Sequence, residues 1–241
     1  MTPAFSPTLT PRGPAALLLL ARLDSRRLPR KQLADLGGRP VIGRTIDRLR
    51  RCGVVNAIAV ATSDRPVDDA LEDLAAQEGV GCFRGDGADV AGRCLAAMQA
   101  LDLDWFIRIC GDSPFADPAI VDAVAQTFLS DPEIDIATNV FPRGYPIGAS
   151  AEAVSRQAMA RICEQTDDLA WLEHVTAWAY EHPGRFRIAN VHPGDARYEG
   201  VSVAIDTPED LERARRAVAA LTDPSAATLD QVTAAYAHRS G

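Results

Sequence analysis

The chain has 241 residues, 47% hydrophobic and 24% charged, which is close to a folded globular protein and far from a disordered or fibrous composition. That length suits one α/β domain with a sizeable core. A net charge of −8 argues against a DNA- or RNA-binding surface, so no nucleic-acid polymer is expected as partner; a nucleotide held by a few local cations remains open.

The opening segment MTPAFSPTLTPRGP carries four prolines and one arginine and reads as a loose tail over 1–14. The apolar run Ala15–Ala21 follows. Its seven residues fall far short of the roughly 20 that span a bilayer, and a signal peptide would need a longer apolar stretch with a cleavage site. The run reads as a buried first strand, and no membrane partner is expected. Pro40–Cys52 is predicted as a helix entered through proline, with Val41, Ile42, Ile46 and Leu49 inside and Arg44, Asp47, Arg48 and Arg51 outside. AIAVATS (57–63) is the second strand, Pro66–Glu78 a helix stopped by Gly79, and GCF (81–83) a short strand. Asp89–Leu101 reads as a helix and Trp105–Cys110 as a strand. Asp117–Leu129 is a helix with Asp117 as N-cap, and Ile134–Thr138 another strand. Val201–Ile205 looks strand-like, and the Ala-rich tail 222–241 reads as a helix of low stability.

This alternation predicts a three-layer α/β fold, a mainly parallel twisted sheet with helices on both faces. Ligands bind such sheets beyond the carboxyl ends of the strands, which singles out Arg22–Lys31, Thr62–Asp64 and Gly111–Pro114. The cysteines Cys52, Cys82, Cys94, Cys110 and Cys163 are odd in number and show no CxxC spacing and no Cys/His cluster. They suit reduced thiols in a cytoplasmic protein without structural zinc, Cys110 being a small buried hydrophobe.

ARLDSRRLPRK (21–31) places Arg22, Arg26, Arg27, Arg30 and Lys31 in one loop with Ser25. Arginine forks bind phosphate oxygens in pairs and lysine adds a point charge, so the loop could cradle a triphosphate; a solvated basic loop would look the same by charge alone. GxxxxGK[ST] is absent.

The pattern A-R-x-x-S-x-R-L-P-x-K after a first strand resembles the signature of the sugar-acid cytidylyltransferases, the CMP-sialic acid and CMP-Kdo synthetases, nearest the spore-coat polysaccharide biosynthesis protein F branch. VATSDRPVDDAL, FRGDGADVAGRCLAAM, IRICGDSPFADPAIVDAV, LEHVTAWAYEHPGRFRI and VAIDTPEDLERAR match further blocks of that branch in order, from about Ala15 to Val218. The resemblance implies a nucleotide-diphospho-sugar transferase (GT-A-like) fold, with a nucleotidyltransferase domain over 15–221. It also implies an acceptor-side and dimerisation excursion near 145–200, and a homodimer. The implied reaction joins CMP from CTP to a small acidic acceptor with release of pyrophosphate, in making activated sugars or surface polysaccharide. It would use Mg2+ (or Mn2+).

By the same resemblance Arg22, Lys31 and Asp112 are catalytic, and Arg22, Ser25, Arg27, Lys31, Asp89 and Arg93 hold the nucleotide. Asp112 and Asp206 bind metal, with a turn or cap role for Asp112 and a helix cap for Asp206 as rivals. Arg108, Arg143, Glu152 and His174 are candidates for the acceptor. The chain departs from the branch in four places. YPIGASAE (145–152) has Ile147 and Ser150 where the branch has acids, Arg30 replaces a glycine, and Leu172 replaces an arginine. These departures concern the acceptor; a modified sugar acid, a phosphonate or loss of activity would each fit. Another nucleotidyltransferase, a GT-A-type glycosyltransferase (no D-x-D follows a strand) and a non-catalytic sugar-nucleotide-binding homologue are the alternatives.

Overall fold

Strand β2 (Gly13–Leu20) is apolar on both faces, and that decides the layout. Successive side chains on a strand point to opposite sides. Ala15, Leu17 and Leu19 therefore enter one core while Ala16 and Leu18 enter the other. The computed structural model describes residues 5–166 and 168–237. β3 (Ile58–Ser63) and β5 (Trp105–Cys110) flank β2 in parallel, and β4 (Gly81–Gly85) lies outside β3. Beyond β5 come β7 (Glu152–Ser155, antiparallel), β6 (Ile136–Thr138) and β8 (Ile188–Asn190), giving the order β4-β3-β2-β5-β7-β6-β8.

Helices α1 (Val41–Leu49), α2 (Asp69–Glu78) and α4 (Pro118–Ser130) cover one face. Helices α3 (Val90–Ala100) and α5 (Arg156–Gln165) cover the other with α6 (Leu169–Glu173) and α7 (Ala177–Glu181). A third cluster joins Val203, Ile205 and Phe115 to α8 (Pro208–Ala220) and α9 (Leu229–Ala237). The predicted three-layer fold is the observed one. From β2 the chain steps outward to β3 and β4, and α3 then carries it across to β5 on the other side of β2. The loops leaving β2 and β5 therefore diverge, and that opening is where a sheet of this kind places a ligand.

Three expectations need correction. The segment 1–14 is not loose throughout. Thr8–Thr10 forms β1, antiparallel to β2, and Arg12 donates to the carbonyls of Phe128 (2.8 Å) and Ile134 (3.0 Å) at the end of α4. Val201–Ile205 makes no strand; a single bridge links Ser202 to Ile147. Arg48 lies inside, 1% exposed, because the C-terminal segment folds over it and supplies the carbonyls of Pro224 and Ala227, each at 2.7 Å. Within the tail Leu229–Ala237 forms a docked helix, α9, with Leu229 and Val232 buried, and 238–241 lie outside the described residues. Trp171, Trp178 and Tyr180 sit on two short helices separated by Val175 at φ 52, and pack against the core of their own chain.

Candidate active site

The loop after β2 is pinned at both ends. At its start the amide of Leu23 donates to Asp68 Oδ1 at 2.6 Å, and Asp68, fully buried, also accepts from Ser63 Oγ at the end of β3. At its far end the amide of Arg30 donates to Leu23 O at 3.1 Å, which closes the loop. Arg30 is left-handed, φ 55, at the position where the resemblance expects glycine. A β-carbon in that region costs about 1–2 kcal/mol. The next residue, Lys31, opens a single 3-10 turn and points inward.

Lys31 is only 7% exposed, and its ammonium is fully engaged. Nζ donates to Ile205 O at 3.0 Å and to Asp206 Oδ1 at 2.8 Å, and pairs with Asp112 Oδ2. Arg27 reaches the other oxygen of Asp206 at 3.0 Å. Burial pushes the Lys31 ammonium down, but the two carboxylates outweigh it and hold it above its ordinary value. Asp112 stands just past β5, and Asp206 comes from the segment that leads into α8. The cap of α8 is Thr207, in a reciprocal capping box with Asp210, so the rival role for Asp206 falls to its neighbour. Two carboxylates thus converge on one cationic point at the opening between β2 and β5. Among the described residues no group of three His, Cys, Asp or Glu could hold a metal ion. Magnesium commonly takes one or two carboxylates and fills its shell with phosphate oxygens and water, so this donor pair fits it and leaves the remaining positions to a substrate.

Arg22, Ser25, Arg27 and Lys31 line two adjoining cavities, about 640 and 390 Å³ in volume. The larger also meets Asp206, and the smaller meets Arg93, Arg108, Asp112 and His174. Arg22 donates to Gly87 O and to Glu173 at 3.3 Å, tying the loop to the start of α3 and to α6. Arg93 is 2% exposed, and burial lowers its pKa; among the described residues its Nε has no hydrogen-bond partner. Its Nη1 donates to Asp86 O, but no carboxylate pairs with it among the described residues, and a buried cation so placed beside a cavity is suited to an anionic ligand. Asp89 is spent as the N-cap of α3, accepting from Gly92 N at 2.6 Å, and does not line either cavity. Only its neighbours Ala88 and Val90 do.

Glu152 also differs from expectation. It is 1% exposed, accepts from Thr176 Oγ1 at 2.7 Å and from the Tyr180 hydroxyl, and pairs with Arg108 across the β5–β7 register. Burial pushes its carboxyl up, while Arg108, Tyr180 and Thr176 hold it below its usual range. It lines neither of these two cavities; it holds Arg108, which lines the smaller. Arg143 lies apart, its guanidinium 3.2 and 3.3 Å from Ser150 Oγ, in the wall of a third cavity. His174 ends α6 and borders the 390 Å³ cavity. Asp68 and Glu173 were not legible as site residues, because each reaches the loop from an element distant in sequence. The five thiols are free, and burial pushes Cys52 and Cys94 up to about 12 and Cys82 and Cys163 to about 11.

Comparison with known proteins fits this geometry. The spore coat polysaccharide biosynthesis protein SpsF of Bacillus subtilis is 29% identical over 201 residues, 81% of this chain and 82% of the relative. A cytidylyltransferase structure from Leptospira borgpetersenii superposes with a TM-score of 0.86 at 25% identity, covering 91% of this chain and 92% of that one. A CMP:2-keto-3-deoxy-manno-octonic acid synthetase solved with CTP shares the fold, with a TM-score of 0.65 at 21% identity over 85% of this chain and 98% of that one. Residues 16–235 match the cytidylyltransferase family as a whole, and the chain is a CTP-dependent nucleotidyltransferase belonging to that family.

Proposed function

We propose that this protein transfers CMP from CTP to a small acidic acceptor, a sugar acid or a related compound, on a route to activated sugars or surface polysaccharide. The observation that carries the reading is the convergence of Asp112 and Asp206 on Lys31 at the sheet's opening, walled by Arg22 and Arg27. In the reaction an acceptor oxygen attacks the α-phosphorus of CTP. The new O–P bond forms as the bond to the β-phosphate oxygen breaks, the attacking hydroxyl gives up its proton to water, and pyrophosphate leaves with its charge.

Charge accumulates on the leaving phosphates, so cations fixed beforehand are the main catalytic resource. Arg22, Arg27 and Lys31 hold those phosphates, and Arg93 supplies a buried cation beside them. Asp112 and Asp206 would hold a divalent ion, Mg2+ or Mn2+, which offsets the phosphate charge when bound. Arg108 and His174 border the same space and can meet an acidic acceptor. Ile147 and Ser150 lie outside the Lys31 cluster, which favours a changed acceptor over lost catalysis. A screen of the four ribonucleoside triphosphates against sugar acids and phosphonates, followed by pyrophosphate release, tests the reading. Release confined to CTP supports it, and release with every nucleotide or with none contradicts it.

A further inference from the structure

Lys31 joins Asp112 and Asp206 from the cavity side. Behind them the same two segments are joined a second time, by the C-terminal helix α9. Asp112 stands in the turn 111–117 between β5 and α4, where every residue but Asp112 is buried. Three consecutive residues of this turn are tied to the C-terminal segment. The Phe115 ring meets the Tyr236 ring edge-on, with centroids 5.4 Å apart. The carbonyl of Ala116 accepts from Arg48 Nε at 2.8 Å, and the same guanidinium takes the carbonyls of Pro224 and Ala227. Asp117 caps α4 with one oxygen, accepting from Ala119 N at 2.9 Å, and with the other accepts from Leu229 N at 2.6 Å. One carboxylate therefore serves the first turns of two helices, where backbone amides lack partners of their own.

The segment that carries Asp206 rests on the same helix. Val203 and Ile205 are buried in one cluster with Phe115 and Val232, and Tyr236 packs against it. Tyr236 is thus shared: its ring lies on Phe115, and its hydroxyl donates to Val203 O at 3.4 Å. Arg48 fastens the arrangement. Its charge is out of water and all three of its hydrogen bonds go to backbone carbonyls. Lifting the C-terminal segment away would take two acceptors from a buried cation, which is costly.

We propose that α9 braces the active site, with Asp117 and Tyr236 as positioning residues that fix Asp112 and Asp206 relative to each other and so set the affinity for a divalent ion with its nucleotide. The inference rests on the transferase reading and deepens it. Carboxylates that hold a metal need their geometry kept to about 0.5 Å by the groups behind them. Loss of such support commonly weakens metal binding about tenfold or more. Neither Asp117 nor Tyr236 lines the cavities around Lys31, so direct contact with CTP would not account for such a loss.

The test titrates Mn2+–CTP with the full chain and follows the water-proton relaxation enhancement, while calorimetry gives the affinity for CTP without metal. The variants are Asp117→Asn and Tyr236→Leu. Asparagine still caps α4, but its single oxygen cannot serve Leu229 as well. Leucine keeps an apolar group and removes the ring that spans Phe115 and Val203. Ile162→Val, in the core beneath α5, is the control for lost stability alone. Thermal midpoints show which variants are folded, and if Tyr236→Leu is not, Asp117→Asn carries the comparison. The proposal expects each variant to bind Mn2+–CTP at least about tenfold more weakly, with the metal-free CTP affinity little changed and Ile162→Val like the wild type. Unchanged Mn2+–CTP affinity in Asp117→Asn, or an equal loss in Ile162→Val, overturns the proposal. Pyrophosphate release from CTP and sugar acids is followed in the same samples. Weakened Mn2+–CTP binding in the variants, with no release by the wild type, sustains the brace while removing the transferase reading. Release by the wild type with unchanged binding in the variants removes the brace alone.

Discussion

Two ion-paired regions face each other across the carboxyl edge of the sheet, and they are built for different purposes. Around Lys31, itself buried, the partners are partly open to solvent: Asp112 is 26% and Asp206 33% exposed, and Arg27 is 67% exposed. On the far side of β5, Glu152 is 1% and Arg108 19% exposed, with Thr176 and Tyr180 completing the set. Lys31 itself is buried, but its two carboxylate partners border the cavities, so a metal or a phosphate can reach them from solvent. A buried pair is not exchangeable in that way, because removing one member strands the other without water. The first region is therefore available for ligands and the second holds a cation in position.

Breaking the buried region should give the largest effect. Glu152→Gln leaves Arg108 without its counter-charge and should lower stability by about 3 kcal/mol, measured by urea unfolding at pH 7. The wild-type contribution has a definite pH sign. The folded carboxyl titrates below its ordinary value, so its stabilisation is complete above about pH 4.3 and is lost as pH falls through the folded value. The gap between variant and wild type should therefore narrow only in acid; a gap that is constant with pH would show that Glu152 acts through shape alone.

The open region should respond in activity instead. Asp112→Asn and Asp206→Asn should each lower kcat at least about a hundredfold, roughly 2.7 kcal/mol, with the urea midpoint little changed. Amide for carboxylate removes the charge a hard cation needs, and the cap of α8 is untouched because Thr207 provides it. Wild-type turnover in Asp206→Asn would remove that residue from the metal site. Lys31→Ala comes next, with kcat/KM for CTP expected to fall at least about tenfold, or roughly 1.4 kcal/mol. An unchanged kcat/KM in the folded variant would reduce Lys31 to a structural ion pair. The smallest effect belongs to Arg30→Gly. Relief of the left-handed strain should raise stability by about 1 kcal/mol, read from the thermal midpoint.

The same contrast explains what the sequence showed and what it hid. Arg22 and Asp112 stand just after strands and Lys31 closes the loop motif that Arg22 opens, so their placement could be read along the chain. The role of Glu152 could not, because its partners Arg108, Thr176 and Tyr180 lie 24 to 44 residues away on β5 and around α7. A lone carboxylate next to a family motif reads as a ligand contact until its neighbours are known. β1 was hidden by flanking prolines, although Thr8–Thr10 needs only three residues to pair. Arg48 looked solvated on helical spacing, since nothing local indicates that residues 224–227 fold back over it. Val201–Ile205 has the apolar content of a strand, but it spends its side chains on the α8–α9 cluster and pairs with Ile147 alone.

The central claim is that the Arg22–Lys31 loop with Asp112 and Asp206 forms a site for CTP with a divalent metal. Thermal unfolding of the wild-type chain with each of the four ribonucleoside triphosphates, with and without Mg2+, tests it most directly, because a ligand that binds only the folded state must raise its midpoint. The account predicts the largest rise with CTP and Mg2+ together, and loss of the Mg2+-dependent part in Asp112→Asn. Equal rises from all four nucleotides, or a CTP response in Asp112→Asn as large as in the wild type, would contradict it.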